Sequence, residues 1–203
     1  MTEEFTGKAI ELFNHGLEQS CMTLSRIAQK EVGLLVTSIS RQARAGAYKN
    51  QHESSHISVT QTFVGEYPGM LLLQGEAYHY VQLMTGCMND DCSLDALPEM
   101  DNETICELGN IVLNAILRTL SILFQNRFYC SLPSRISADG IKHIFSETGA
   151  YKSDVTVFDM EFCWNENNRS TTVPINVHLH FEENSKLNDW EARAYGPKGM
   201  DER

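Results

Sequence analysis

Two long amphipathic stretches of this chain repeat one another at an offset of 96 residues, and this repeat restricts the possible folds more than any other feature. Glu11-Leu12-Phe13-Asn14 aligns with Glu107-Leu108-Gly109-Asn110, Leu17 with Leu113, and Thr23-Leu24-Ser25 with Thr119-Leu120-Ser121; seven of the 17 paired positions from 11 to 27 are identical. Similar helices at such a distance point to duplicated halves around a pseudo-twofold axis. Leucines recur on any amphipathic helix, so the informative part of the match is Glu-x-x-Asn.

The segments between the helices read as strands. Residues 3 to 30 have helical spacing, with Phe5, Ala9, Leu12, Phe13, Leu17, Leu24, Ile27 and Ala28 on one side and Gly33 as a stop. Strands are expected at Leu34–Ser40, at Ile57–Val64, where apolar and polar residues alternate, and at Met70–Leu73 beyond the Tyr67-Pro68-Gly69 turn. Gly75 opens a short helix to Met84, residues 86 to 99 form an acidic loop, and the polar segment 51 to 55 forms another loop. The second long helix covers Asp101–Gln125, with Asp101 or Asn102 as N-cap and Glu103 in its first turn. A strand at Phe128–Leu132, a short helix at Asp139–Phe145, strands at Ser153–Trp164 and Thr171–Phe181 around Asn165–Asn168, and a helix at Lys186–Tyr195 complete the reading. No linker divides the chain, so residues 1–203 are expected to form a single α/β (α+β) domain, a largely antiparallel sheet packed against long helices.

Composition removes several functions. With 16 Lys+Arg against 27 Asp+Glu, the chain carries a formal charge of −11 and lacks the basic footprint expected for nucleic acid or anionic membrane surfaces. The N-terminus has two acids and no apolar core of a secretory signal. The Leu-rich run from Ile111 to Phe124 is broken by Asn114, Arg118 and Ser121, so a cytoplasmic chain with no membrane segment is expected. Its six cysteines then read as free thiols. Cys87/Cys92, His52/His56 and His178/His180 have spacings a metal could use, but no further ligands accompany them, and no metal is expected.

On the second helix Glu103, Glu107, Asn110, Asn114, Arg118, Ser121 and Gln125 follow one another at gaps of 4, 3, 4, 4, 3 and 4, which lines them up as one narrow stripe. A solvated face is the ordinary explanation of such a stripe. Its composition is less ordinary: neither glutamate has a lysine one turn on to make a helix ion pair, and a carboxylate and an amide look outward together. Arg118 reads as a neutraliser of nearby acids.

Glu103-x3-Glu107-x2-Asn110, followed by 22 residues and then Pro133, resembles the signature of the CheC, CheX and FliY phosphatases of bacterial chemotaxis, which runs Asp or Ser, three residues, Glu, two residues, Asn, 21 or 22 residues, Pro. Gly-Met-Leu-Leu-Leu-Gln-Gly-Glu before it, Glu-Leu-Gly-Asn-Ile-Val at its centre and Cys-Ser-Leu-Pro-Ser after it also fit, and the likeness is strongest from about 68 to 135. Glu103 stands where the pattern has Asp or Ser. In the first copy Glu11 and Asn14 are kept, but Gly7 takes the opening position and Val36-Thr37 the place of the proline.

The resemblance implies a CheC-like fold and hydrolysis of the aspartyl phosphate on a CheY-like response-regulator receiver domain, in chemotaxis or two-component signalling. Asn110 would hold the attacking water and Glu107 would pair with a receiver lysine. Glu103 and Asn114 would touch the partner, Pro133 would shape a strand edge, and Glu11 with Asn14 would make a second, degenerate site. Mg2+ would belong to the receiver, leaving this chain with no cofactor of its own. CheD is a further implied partner, and a homodimer is left open. The alternative is a non-catalytic CheC-like adaptor that docks a receiver domain or CheD. A FliY-type flagellar component is expected less, since little chain follows the phosphatase-like unit.

Overall fold

Helices and strands follow one another in two similar rounds. The computed structural model describes residues 3–4, 7–43, 56–88, 102–145, 154–166 and 169–183, together with Asn188 and Ala192. The first round is β1 (Glu3–Glu4), α1 (Gly7–Ala28), β2 (Val32–Gln42), β3 (His56–Val64), β4 (Gly69–Glu76) and α2 (Ala77–Met88). The second is α3 (Asn102–Phe124), β5 (Tyr129–Cys130), β6 (Ser134–Arg135), α4 (Ala138–Ile144), β7 (Val155–Glu166) and β8 (Arg169–Phe181).

The two long helices stop in the same way. Gln29 and Gln125 both take left-handed backbone, with φ of 51° and 50°. The next amide then reaches back five residues, Lys30 N to Ser25 O and Asn126 N to Ser121 O, each at 3.2 Å. This is the Schellman ending, which satisfies carbonyls the helix would otherwise leave open. The helical repeat therefore runs on to an eighth match at 29 and 125. The stop is Gln29 and not Gly33, which lies inside β2 opposite Cys163. The other end of the expected helix is also shorter, because Glu3 and Glu4 pair with Arg41 and Ser40 as a strand. A side chain other than glycine is strained at positive φ, so Gln29→Gly and Gln125→Gly should each stabilise the protein by roughly 0.5–1 kcal/mol. Urea midpoints at or below wild type for both variants would contradict this origin of the helix ends.

All strand pairs are antiparallel, in the order β1-β2-β7-β8-β4-β3-β5, with β6 also on β3. That order is symmetric about the β8–β4 pair. Each round lends the strand segment that follows its long helix to the other, β2 to β7 and β5/β6 to β3, as a duplicated unit with exchanged edges would. The molecule is thus an α+β fold built on one antiparallel sheet.

Alternation along the strands gives the sheet two unlike faces. Leu71, Leu73, Val177, Leu179, Phe158 and Met160 form a core with α1 and α3, in which Phe13 meets Phe158 edge-on at 4.8 Å and Tyr67 lies against Phe124 at 4.3 Å. Burying each such side chain is worth about 1.5–3 kcal/mol. On the opposite face Met70 and Leu72 pack with Ile141 and Phe145 of the α4 segment. Where α1 crosses α3, a Cβ on Gly16 would collide with the Thr119 hydroxyl. Arg118 donates from Nη1 to Gln19 Oε1 across this crossing and so ties the two helices together. By length and hydropathy α3 could pass for a membrane span, but Ile105, Val112, Leu113, Ile116 and Leu120 are all in the core.

Three further expectations change. Strand β4 continues through Gly75 to Glu76, and α2 extends to Met88, into the expected loop. Of the strand expected at Phe128–Leu132 only β5, Tyr129–Cys130, forms, and a second short piece, β6, follows after Ser131-Leu132-Pro133. Opposite those three residues β3 supplies only Gln61 and Thr62, so one extra residue is accommodated next to a proline that has no N–H for the ladder. Strand β2 bulges at the equivalent place, skipping Thr37 between Val36 and Ser38. The loop at 51–55, His52, residues 89–99 with Cys92, Asp101, the 167–168 turn tip and the tail helix, Asn188 and Ala192 excepted, lie outside the described residues.

Candidate functional site

The two repeated asparagines have different fates. From Val32 to Val36, β2 has β7 on one side only, and α1 supplies hydrogen bonds to the open side. Asn14 Nδ2 donates to Val36 O at 3.1 Å and Asn14 Oδ1 accepts from Val36 N at 2.7 Å. Cys21 Sγ accepts from Leu34 N at 3.2 Å and donates to Leu34 O at 3.6 Å, and burial pushes its thiol pKa up, keeping the proton. Ser25 Oγ accepts from Val32 N at 2.9 Å and donates to Val32 O at 3.2 Å. Three side chains of α1 thus stand in for a neighbouring strand, and an edge that would otherwise invite pairing is closed. Both ends of the Asn14 amide are engaged in it. Glu11, one turn before, is exposed.

In the second round the strand edge has moved away. The residue equivalent to Val36 is Leu132, which belongs to the bulge between β5 and β6 and is 88% exposed. Its carbonyl accepts from Ser131 Oγ at 3.0 Å, and Ser131 N donates inward to Thr62 O at 2.9 Å. Cys21 is matched by Leu117, which cannot bond a strand, and Ser121 Oγ donates instead to Asn126 O. Asn110 is therefore released from the backbone. Pro133, half-buried at the end of the bulge, interrupts the edge that would have taken the amide.

Asn110 is held by side chains. Its Oδ1 accepts from Asn114 Nδ2 at 2.7 Å, and Asn114 Oδ1 accepts from Gln61 Nε2 at 3.3 Å. The same Gln61 nitrogen donates to Ser131 O at 3.0 Å. Gln61 is buried, with Oε1 unpartnered. Gly109 allows the approach: a Cβ there would fall 2.8 Å from Val59 Cγ1, so α3 can sit low on β3, two residues from Gln61. Glu107 is exposed and makes no hydrogen bond or ion pair with any described residue. Glu103 is exposed in the first turn, beside Asn102, whose Oδ1 accepts from Arg135 Nη1 at 3.1 Å. Glu103, Glu107, Asn110 and Asn114 form one outward strip, with an outward carboxylate able to meet a cation and a half-buried amide able to hold a small polar group.

Gln61 and Ser131 are absent from a reading of α3 alone. The signal for Gln61 is present in the strand, where Ile57, Val59 and Phe63 occupy the inward register and Gln61 is the polar residue among them. No group of three or more metal-ligating side chains occurs among the described residues. Cys21, Cys106, Cys130 and Cys163 are free thiols, and His178 and His180 are buried in β8.

No protein-family model matches this chain, and neither does any curated protein sequence. Solved structures do. The chain superposes on Thermotoga maritima FliY with a TM-score of 0.64 at 15% identity, over 94% of this chain and 98% of that one. For the FliM middle domain of Vibrio alginolyticus the TM-score is 0.60 at 11% identity, over 90% and 99%. For CheX of Desulfovibrio desulfuricans it is 0.52 at 16% identity, over 85% and 99%. Two rounds of helix and strands, edges exchanged about a central antiparallel pair, are in this chain the CheC-like fold of the FliY, FliM and CheX structures.

Proposed function

We propose that this protein is a phosphatase of phosphorylated response-regulator receiver domains and that α3 carries its site. The observation that carries the reading is the contrast between the two asparagines: Asn14 is bound at both ends to Val36, whereas Asn110 stands on an outward strip one turn from the exposed Glu107. In this reading Glu107 pairs with a receiver lysine and fixes orientation. Asn110 reaches the phosphorylated aspartate and holds a water in line with phosphorus. The water oxygen bonds phosphorus as the bond from phosphorus to the aspartyl oxygen breaks; its electron pair stays on the aspartate carboxylate, and a water proton leaves with the phosphate or to solvent. A neutral amide suffices because phosphoryl transfer depends largely on positioning and on charge stabilisation. In the receiver, Mg2+ supplies the charge stabilisation. Leu132, exposed next to the Ser131 that Gln61 holds, offers apolar area to the same partner.

The test is the decay of a phosphorylated receiver domain from the same genome, measured with and without the protein. Decay should accelerate in proportion to catalytic amounts of the protein. Unchanged decay would reject the phosphatase, and unchanged decay with saturable binding would identify the adaptor instead.

A further inference from the structure

Of the two amides on the strip, the one a partner meets first is controlled by a residue that lies beneath it and cannot touch the partner. We propose that Gln61 is a positioning residue that determines which end of the Asn110 amide faces outward. The inference rests on the phosphatase reading for its consequence and on the hydrogen-bond directions for its geometry.

The chain of bonds has one fixed end. Ser131 O is a backbone carbonyl and only accepts, so Gln61 must present Nε2 to it, at 3.0 Å. The same nitrogen reaches Asn114 at 3.3 Å, which makes the Asn114 atom facing it the acceptor Oδ1. The Asn114 nitrogen is then left to donate to Asn110, at 2.7 Å, and the Asn110 atom receiving it is Oδ1. Asn110 Nδ2 is the end left for the partner. Each amide in the series polarises the next. An outward N–H donated to the attacking water's oxygen occupies one lone pair and leaves the other pointing at phosphorus; an amide turned over would direct the water differently.

A second observation separates positioning from simple structural support. Gln61 is buried, yet its Oε1 has no partner. A buried acceptor left unmatched opposes folding, so this residue is a poor choice for stability at a site where Met or Leu would fit an otherwise apolar register between Val59 and Phe63. The bulge at Ser131-Leu132-Pro133 gains a role as well, since it brings the anchoring carbonyl to Gln61.

The experiment compares wild type with Gln61→Met in receiver dephosphorylation, thermal unfolding and the side-chain amide NMR signals of the 15N-labelled protein. The expected result is a fall in kcat of roughly tenfold or more, KM for the phosphorylated receiver within about twofold, a Tm equal to or above wild type, and shifted Asn110 and Asn114 side-chain signals. A lower Tm accompanying the loss would make Gln61 a structural residue and overturn the proposal. An unchanged kcat in an active protein would also overturn it. If wild type has no phosphatase activity, the functional reading fails by itself, and the NMR signals still decide the relay: an Asn110 amide indifferent to Gln61→Met overturns it.

Discussion

Asn110→Ala is expected to reduce the acceleration of receiver dephosphorylation about 100-fold while leaving the fold nearly as stable as wild type, and Asn14→Ala is expected to do the reverse. The asymmetry follows from what each amide touches. Half-buried Asn110 hydrogen-bonds only the exposed Asn114 side chain among the described residues, and a truncation on such a strip changes stability by about 0.5 kcal/mol or less. Its loss removes the group that holds the water, and misplacing a reactant by about 1 Å can cost about 100-fold in rate. Asn14 occupies both the N–H and the C=O of Val36, in a part-buried position on the open side of β2. Alanine there leaves both backbone groups without their partner, at a cost of about 2 kcal/mol, and loosens one of three contacts that close the edge. Urea midpoints and phosphorylated-receiver decay, measured on both variants, check the pair. Activity that survives Asn110→Ala but disappears in a folded Asn14→Ala protein would place the reaction on α1.

The same contrast shows where sequence reading reaches its limit. Periodicity reveals α1, α3 and the long strands because each element buries one continuous stripe, and the stripe is written in residues such as Phe13, Leu17, Val112 and Leu120. The repeat at 96 is legible for the same reason. Which of the two repeated asparagines is available is not legible in the helices, because it depends on the strand that follows each one. Val36 stays paired to Met160 just before its bulge and takes the amide, whereas pairing to β3 lapses from Ser131 to Pro133 and the amide is released. Pro133 is the local sign of that break, although the loss of pairing from Ser131 to Pro133 is a tertiary fact. The helix ends illustrate a related limit. Gly33 is the natural stop by residue type, but the chain turns at Gln29, where the reach of Lys30 back to Ser25 outweighs the strain on a residue with a side chain.

The protein should also lose stability steeply as the pH falls below about 6.5, well before its carboxylates titrate. His178 and His180 lie buried on the same side of β8, with cross-strand neighbours Leu72 and Val157 for the first and Met70 and Val155 for the second. Phe145 stacks on His180 with ring centroids 4.1 Å apart. Burial among these apolar groups lowers the His178 pKa from 6.5 to about 4; burial, reinforced by His178, holds His180 well below its usual range. Both histidines are neutral in the folded and unfolded states above about pH 7, so their contribution is fully present there. Between about 6.5 and 4 the unfolded chain binds protons that the folded chain refuses. Stability then falls by up to about 1.4 kcal/mol per pH unit for each histidine, or about 3 kcal/mol for the two between pH 6.5 and 5. Against a typical domain stability of about 5–15 kcal/mol, this is enough to bring the unfolding midpoint down sharply. Urea titrations from pH 7.5 to 5 measure the slope, and His178→Leu and His180→Phe should each reduce it by about half, whatever they do to the absolute stability at pH 7.5. A flat profile in wild type would mean that these histidines accept protons in the folded protein, which would require water or a carboxylate to reach a face of the sheet lined here by Met70, Leu72 and Phe145.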